Sequence, residues 1–229
     1  MVSSPELAAR LIESAHRFGT PVYVTDVATL VRAAQEVAMA FPDPWLRQYS
    51  LKANDVPAVV ARIAALGFGA NVVSSGEWSL ARHAGVSNMR ITLEGVGKTD
   101  ADLRHAVRAA TNGEPLRWLA IESAEEAAVL AGLAGEAGIG ANGAPRLDVL
   151  LRLNPDVTPE TIAALAVGAG SSKFGLRDAE LEAAIRAGGG RHGPLRWRGI
   201  HLHVGSQLQA LDAWRAAVRH ALAVFSAWR

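Results

Sequence analysis

Tyr49-Ser50-Leu51-Lys52-Ala53-Asn54 is the stretch whose reading decides this chain. Residues 46–51 read as a short strand with Leu46, Tyr49 and Leu51 as its larger side chains. Lys52 falls where that strand ends, and Asn54-Asp55 followed by Pro57 opens a helix. A lysine that closes a strand inside an apolar α/β core is costly to bury as a cation, so desolvation favours the neutral amine. The neutral amine is the form that attacks a carbonyl, which suits Lys52 to carry an imine to an aldehyde cofactor. The competing reading is a strand-end lysine whose aliphatic stem runs over apolar surface to a solvated head.

On either side of Lys52 the chain divides into short periodic segments. Residues 5–17 read as an amphipathic helix, and Val22-Tyr23-Val24 as a β-rich run. Thr25-Asp26 caps a helix over 27–40. Beyond Lys52, helices are expected over 57–66, 76–84, 99–110, 178–187 and 208–229, the last carrying Trp214, Phe225 and Trp228. Ser123-Ala124-Glu125-Glu126 opens a further, alanine-rich helix in the manner of a capping box. Strands are expected over 67–73, 90–93, 116–121, 147–153 and 195–204. The 147–153 run is apolar at nearly every position, as in a strand buried on both faces. Residues 154–172 read as a long irregular connection.

Alternating βα units imply a parallel sheet. Six evenly spread units suit a TIM-type (β/α) barrel better than a doubly wound sheet. Such a barrel closes with eight strands over about 250 residues, so the expected α/β fold is an incomplete barrel of about six units. The expected organisation is 1–44 as N-terminal helices and a short strand leading in, and 45–229 as the partial barrel.

Composition narrows the function classes. Half of the 229 residues are hydrophobic, a fifth are charged and the net charge is +1. Nothing there favours nucleic acid or an anionic membrane surface as partner. Without cysteine there is neither a disulfide framework nor a thiolate metal site, which accords with a cytoplasmic location. No basic segment followed by an apolar run marks a secretory signal at the N-terminus, and no apolar stretch reaches membrane-spanning length.

In barrels of this type chemistry gathers at the C-terminal ends of the strands. Those ends are 52–54, 71–77, 94–98, 152–156 and 201–207, all polar or glycine-rich. Gly95-Val96-Gly97-Lys98-Thr99 ends like a phosphate-binding P-loop but fails it, because Thr92 stands where the earlier glycine is required. His201 and His203 share a strand face. A divalent metal would need further histidine or carboxylate ligands, which Asn71, Glu94 and Arg152 supply poorly. The alternatives are hydrogen-bonded interior histidines, or an imidazole used as a stacking surface for a planar ligand. Val204-Gly205-Ser206-Gln207 offers backbone N–H groups and a hydroxyl suited to a phosphate oxygen. Arg152 offers positive charge to a phenolate or phosphate, or else forms an ion pair with Asp156 or another carboxylate.

Six stretches in register carry a resemblance. They are Thr20-Pro21-Val22-Tyr23-Val24, Tyr49 to Asn54, Gly67 to Glu77, Arg152-Leu153-Asn154-Pro155-Asp156-Val157, Ser172-Lys173-Phe174-Gly175, and Gly199 to Gln207. Together they resemble the fold type III decarboxylases dependent on pyridoxal 5'-phosphate (PLP), most closely those acting on diaminopimelate. The resemblance implies Lys52 as the lysine that joins PLP, His203 as the histidine stacked on its ring, and Ser206 as a phosphate ligand. It places Arg152 near the cofactor ring oxygen, Lys173 loosely at the site, and Val22 to Val24 in a second, β-rich domain. It also implies an amino-acid substrate, meso-diaminopimelate converted to L-lysine, and a homodimer.

Two departures stand out. Asn71 replaces the family's usual aspartate, and Glu94-Gly95-Val96-Gly97-Lys98 differs from the usual glycine-asparagine-glycine-lysine. The seventh and eighth strand loops and the following β-domain of the family find no counterpart. The chain is therefore expected to be the N-terminal portion of such an enzyme, inactive in isolation. A non-enzymatic PLP-binding barrel and a metal-dependent hydrolase using His201 and His203 are the alternatives.

Overall fold

The computed structural model describes residues 5–158, 160, 161, 168 and 172–227. The chain divides into two compact units, Met1–Trp45 and Leu46–Arg229.

The first unit holds helices α1 (Pro5–Phe18) and α2 (Val27–Ala40). Asp26 caps α2 by accepting hydrogen bonds from the Ala28 and Thr29 N–H groups. α1 buries no side chain and α2 buries only Ala34. Val22-Tyr23-Val24 departs from expectation: it is irregular and exposed, with no partner strand among the described residues. β-branched and aromatic composition fits a pleated surface, but a strand also needs a neighbour to pair with.

The second unit is a run of βα units. Its strands are β1 (Gln48–Ser50), β2 (Gly69–Val72), β3 (Ile91–Leu93), β4 (Trp118–Ile121), β5 (Leu147–Arg152) and β6 (Leu195–His201). Its helices are α3 (Pro57–Ala65), α4 (Ser75–His83), α5 (Asp100–Thr111), α6 (Ala124–Glu136), α7 (Asp178–Ala187) and α8 (Asp212–Ala227). All strand pairs are parallel and the order is sequential, β1 to β6. Among the described residues β1 and β6 do not pair, so the sheet is open between them. The strands run shorter than expected, and α8 starts four residues later than its periodicity suggests. α8 buries Ala217, Ala221 and Val224, while Trp214 and Phe225 stay largely exposed and Trp228 lies outside the described residues. Much of the 154–172 connection also lies outside them.

Period-2 alternation sorts the side chains. Ala70, Val72, Ile91, Leu93, Leu119, Ile121, Leu147 and Val149 face outward into one core shared with the helices. Their neighbours Gln48, Ser50, Asn71, Thr92, Trp118 and Leu150 face inward and line a cleft. β5 is therefore not buried evenly on both faces: Leu147, Val149 and Leu151 are buried, Asp148 and Leu150 only partly. The open sheet leaves its inner face less covered than a closed barrel would.

Similar helix starts fix several loops above the strands. Ser74 accepts from the Glu77 N–H, and Glu77 reaches back to the Val73 N–H. Ser123 and Glu126 repeat the device, with Glu126 bound to the Glu122 N–H rather than to Ser123 itself. Thr99 and Asp102 make a reciprocal capping box on α5.

Candidate active site

The cleft lies at the C-terminal end of the sheet, as barrel topology dictates. Its volume is about 810 Å³, and Lys52, Asn71, Glu94, His201, His203 and Ser206 are among its lining residues. Lys52 sits in a single 3₁₀ turn, Leu51–Ala53, directly after β1. Leu51 is fully buried and pins that turn, so Lys52 points inward.

Lys52 is not fully desolvated. Its side chain is 40% exposed, and Nζ lies 3.1 Å from Glu94 Oε1. Glu94, one step past β3, is 5% exposed and holds His201 Nε2 at 2.7 Å with its other oxygen. Burial pushes the Glu94 carboxyl up, but the His201 hydrogen bond and the charges of His201 and Lys52 overcome it and hold the group well below the carboxylate range.

A register shift aims the histidines. The sheet pairs Val149 with Trp197 and then Leu150 with Gly199, so Arg198 is skipped. That bulge reverses the parity of β6. Trp197 packs against the outer core, Ile200 also packs outward, and His201 turns into the cleft. His203, two residues on and past the strand end, lines the same cleft. Burial, followed by the nearby positive charges of Lys52 and Arg152, lowers its pKa to about 4, so the ring is neutral at pH 7. Ser206 and Gln207 close the rim on a turn held by Thr161, whose hydroxyl donates to the Ser206 carbonyl.

Two expected site residues are not among those lining the cleft. Arg152 makes the ion pair that its alternative reading foresees, with Glu122 rather than Asp156, at 2.6 Å and with both side chains 4% exposed. The guanidinium also lies over the Phe174 ring, 4.8 Å from its centroid. Gly175, at φ +74°, lies so close to the Arg152 carbonyl that a Cβ would come within 2.9 Å. The Lys-Phe-Gly segment thus braces the end of β5, whereas Lys173 is exposed, with its ammonium 5.6 Å from the Phe174 ring. Asn71 stays at the site, on the inner face, accepting from Ser50 Oγ at 3.3 Å.

Glu122 and the clamp formed by Glu94 escape the sequence reading. The signal for both is the same alternation: outward Leu93 and Ile121 force the next residue inward at a strand end. Gly95–Thr99 is no phosphate loop. Lys98 donates to the Gly95 carbonyl and lies 2.9 Å from Glu126 Oε1, while Thr99 caps α5. Among the described residues no three histidine, aspartate or glutamate side chains are grouped to hold a metal ion. A second cavity of about 300 Å³ on the outer side of β6 is lined mainly by apolar residues such as Leu151, Ile185, Trp197 and Val224, and carries no nucleophile.

The cleft fits a phosphorylated pyridine aldehyde in its donor set. It offers an amine, a neutral flat imidazole and a hydroxyl-bearing turn, in a volume suited to a small cofactor. Comparison with known proteins agrees. The family described as pyridoxal-dependent decarboxylase, pyridoxal binding domain, matches residues 27–229. Diaminopimelate decarboxylase of Aquifex aeolicus is 36% identical over 217 residues, covering 94% of this chain and 48% of that protein. The enzyme of the same name from Zymomonas mobilis is 34% identical, covering 95% and 50%. The crystal structure of diaminopimelate decarboxylase from Helicobacter pylori complexed with L-lysine superposes with a TM-score of 0.84 at 25% identity, over 96% of this chain and 52% of that one. The chain spans about half the length of the curated relatives it matches. Among the described residues no helix is long and apolar enough to cross a membrane.

Proposed function

The chain belongs to the pyridoxal-dependent decarboxylases as their pyridoxal binding domain, with PLP as cofactor, and on that premise we propose that it serves the decarboxylation of meso-diaminopimelate to L-lysine. The observation that carries this reading is the meeting of Lys52, His203 and Ser206, from opposite ends of the sheet, in one cleft. The choice of substrate is supported by the relatives named above and by Arg152-Leu153-Asn154-Pro155-Asp156.

The cofactor supplies an electron sink for the carbanion left when the carboxylate departs. Lys52 Nζ would be the attachment point for the cofactor. His203 presents a flat imidazole that stays uncharged and so adds no second cation beside Lys52. The Ser206 hydroxyl and the N–H groups of its turn suit the phosphate. Arg152, locked between Glu122 and Phe174, is a fixed positive charge behind the site that helps keep His203 neutral. Asn71 is read as substrate-proximal. Residues 45–229 are read as the cofactor-carrying unit, acting in the cytoplasm within a homodimer.

A second reading, cofactor attachment without turnover by this chain alone, is favoured by the unpaired edges of β1 and β6 among the described residues. The test is release of labelled carbon dioxide by the PLP-loaded chain from carboxyl-labelled meso-diaminopimelate, L-ornithine and L-arginine. Release from diaminopimelate above the others supports the first reading. Attachment without release from any of them supports the second. Release from ornithine or arginine alone overturns the substrate assignment.

A further inference from the structure

We propose that Glu94 is the positioning residue for Lys52: its carboxylate clamps the ammonium on one side and the His201 ring on the other, and thereby sets how readily the amine becomes free to react. The proposal rests on the reading of Lys52 as the cofactor lysine for its purpose, though its test does not use the cofactor.

Three observations carry it. Glu94 is buried, and its two oxygens serve two different partners, at 3.1 Å and 2.7 Å. His201 Nδ1 is buried without a hydrogen-bond partner, so the ring is held through its Nε2 contact to Glu94. His201 holds one Glu94 oxygen through Nε2 and Lys52 holds the other, and together they keep the carboxylate ionised. Finally, among the described residues the side chains lining the cleft with Lys52 include no anion besides Glu94. β2 presents Asn71, β6 presents His201 and the neutral His203, and Arg152 on β5 is cationic and already paired with Glu122. Asp55, on the same loop as Lys52, is felt by Tyr49.

The consequence is a lysine held in place by one carboxylate among the described residues. Glu94→Gln keeps the shape and the contact to His201 but removes the charge, so the amine is deprotonated more easily. An opposite charge at this range shifts a titration by about one unit or more, which is about tenfold in free amine at fixed pH.

The chain has three lysines, Lys52, Lys98 and Lys173, which makes the measurement direct. Reductive methylation with labelled formaldehyde, followed lysine by lysine against pH, reads free amine without any cofactor. In Glu94→Gln, Lys52 is expected to react about tenfold faster at pH 7, its pH profile moving to lower pH, with exposed Lys173 and buried Lys98 unchanged. An unchanged Lys52 rate with Lys98 still protected overturns the proposal. Should Lys98 also gain, the variant has opened, and Glu94→Asp replaces it. With the charge retained there, Lys52 is expected within about twofold of wild type. A rise in Glu94→Asp with Lys98 protected would show that packing, not charge, shields Lys52. If Lys52 responds as expected yet never captures PLP, the clamp stands and the cofactor assignment fails.

Discussion

The loops after β1 and β3 each place a lysine against a glutamate, and the two lysines do opposite things. Lys98 is 1% exposed, pairs with Glu126 and donates to the Gly95 carbonyl. Glu126 in turn holds the Glu122 N–H, so Lys98 is a strut tying the end of β3 to the end of β4. Lys52 is 40% exposed, has one carboxylate partner among the described residues and faces the cleft. The glutamates differ in the same sense. Burial raises the Glu126 carboxyl, and Lys98 offsets this only in part, whereas the donors around Glu94 outweigh its burial. The lysine proposed to carry the cofactor is thus marked by its place at the edge of a cleft rather than by burial itself.

The sharpest way to break this contrast is to remove each lysine in turn. Lys52→Ala is expected to abolish covalent PLP capture, read as loss of the absorbance that develops on adding the cofactor, while His201 still holds the buried Glu94 carboxylate. Lys98→Ala is expected to keep capture wherever it remains folded, but to lose about 3–5 kcal/mol of stability, because Glu126 is left as an uncompensated buried charge. Equal losses of capture in both variants would erase the distinction.

A comparable stability loss, again about 3–5 kcal/mol, is expected for Arg152→Met, which strands Glu122 in the same way. Its urea midpoint should fall well below that of Lys173→Met, whose exposed side chain is expected to change stability by less than about 0.5 kcal/mol.

Acid provides a gentler probe. His203 has its folded-state pKa lowered from 6.5 to about 4, so between those values the unfolded chain binds a proton that the folded chain refuses. The contribution is complete above pH 6.5 and is lost as pH falls toward 4. Urea midpoints of the wild type should therefore drop across that window more steeply than those of His203→Asn.

The smallest effects belong to the helix starts. Ser74→Ala and Ser123→Ala should each cost about 1 kcal/mol in urea denaturation and leave PLP capture intact.

Much of this was legible from periodicity. The alternation that sends Leu93 outward also sends Glu94 inward, and the βα rhythm predicts a parallel sheet with Lys52 and His203 at one end. Which ends lie side by side was not legible. The Glu122–Arg152 pair depends on β4 lying next to β5. The turn of His201 into the cleft depends on a one-residue bulge at Arg198, without which the odd positions of β6 would face outward. The desolvated Lys52 expected from its position is instead part-exposed and paired with Glu94, for the same reason. Its partner stands 42 residues away, across two strands.

The most direct test of the central claim is to add PLP, reduce with borohydride and map the fixed pyridoxyl group by mass spectrometry. With three lysines in the chain, the account predicts a single modified site, Lys52. Modification at Lys98 or Lys173 in preference to Lys52, or no modification at saturating PLP, would contradict it.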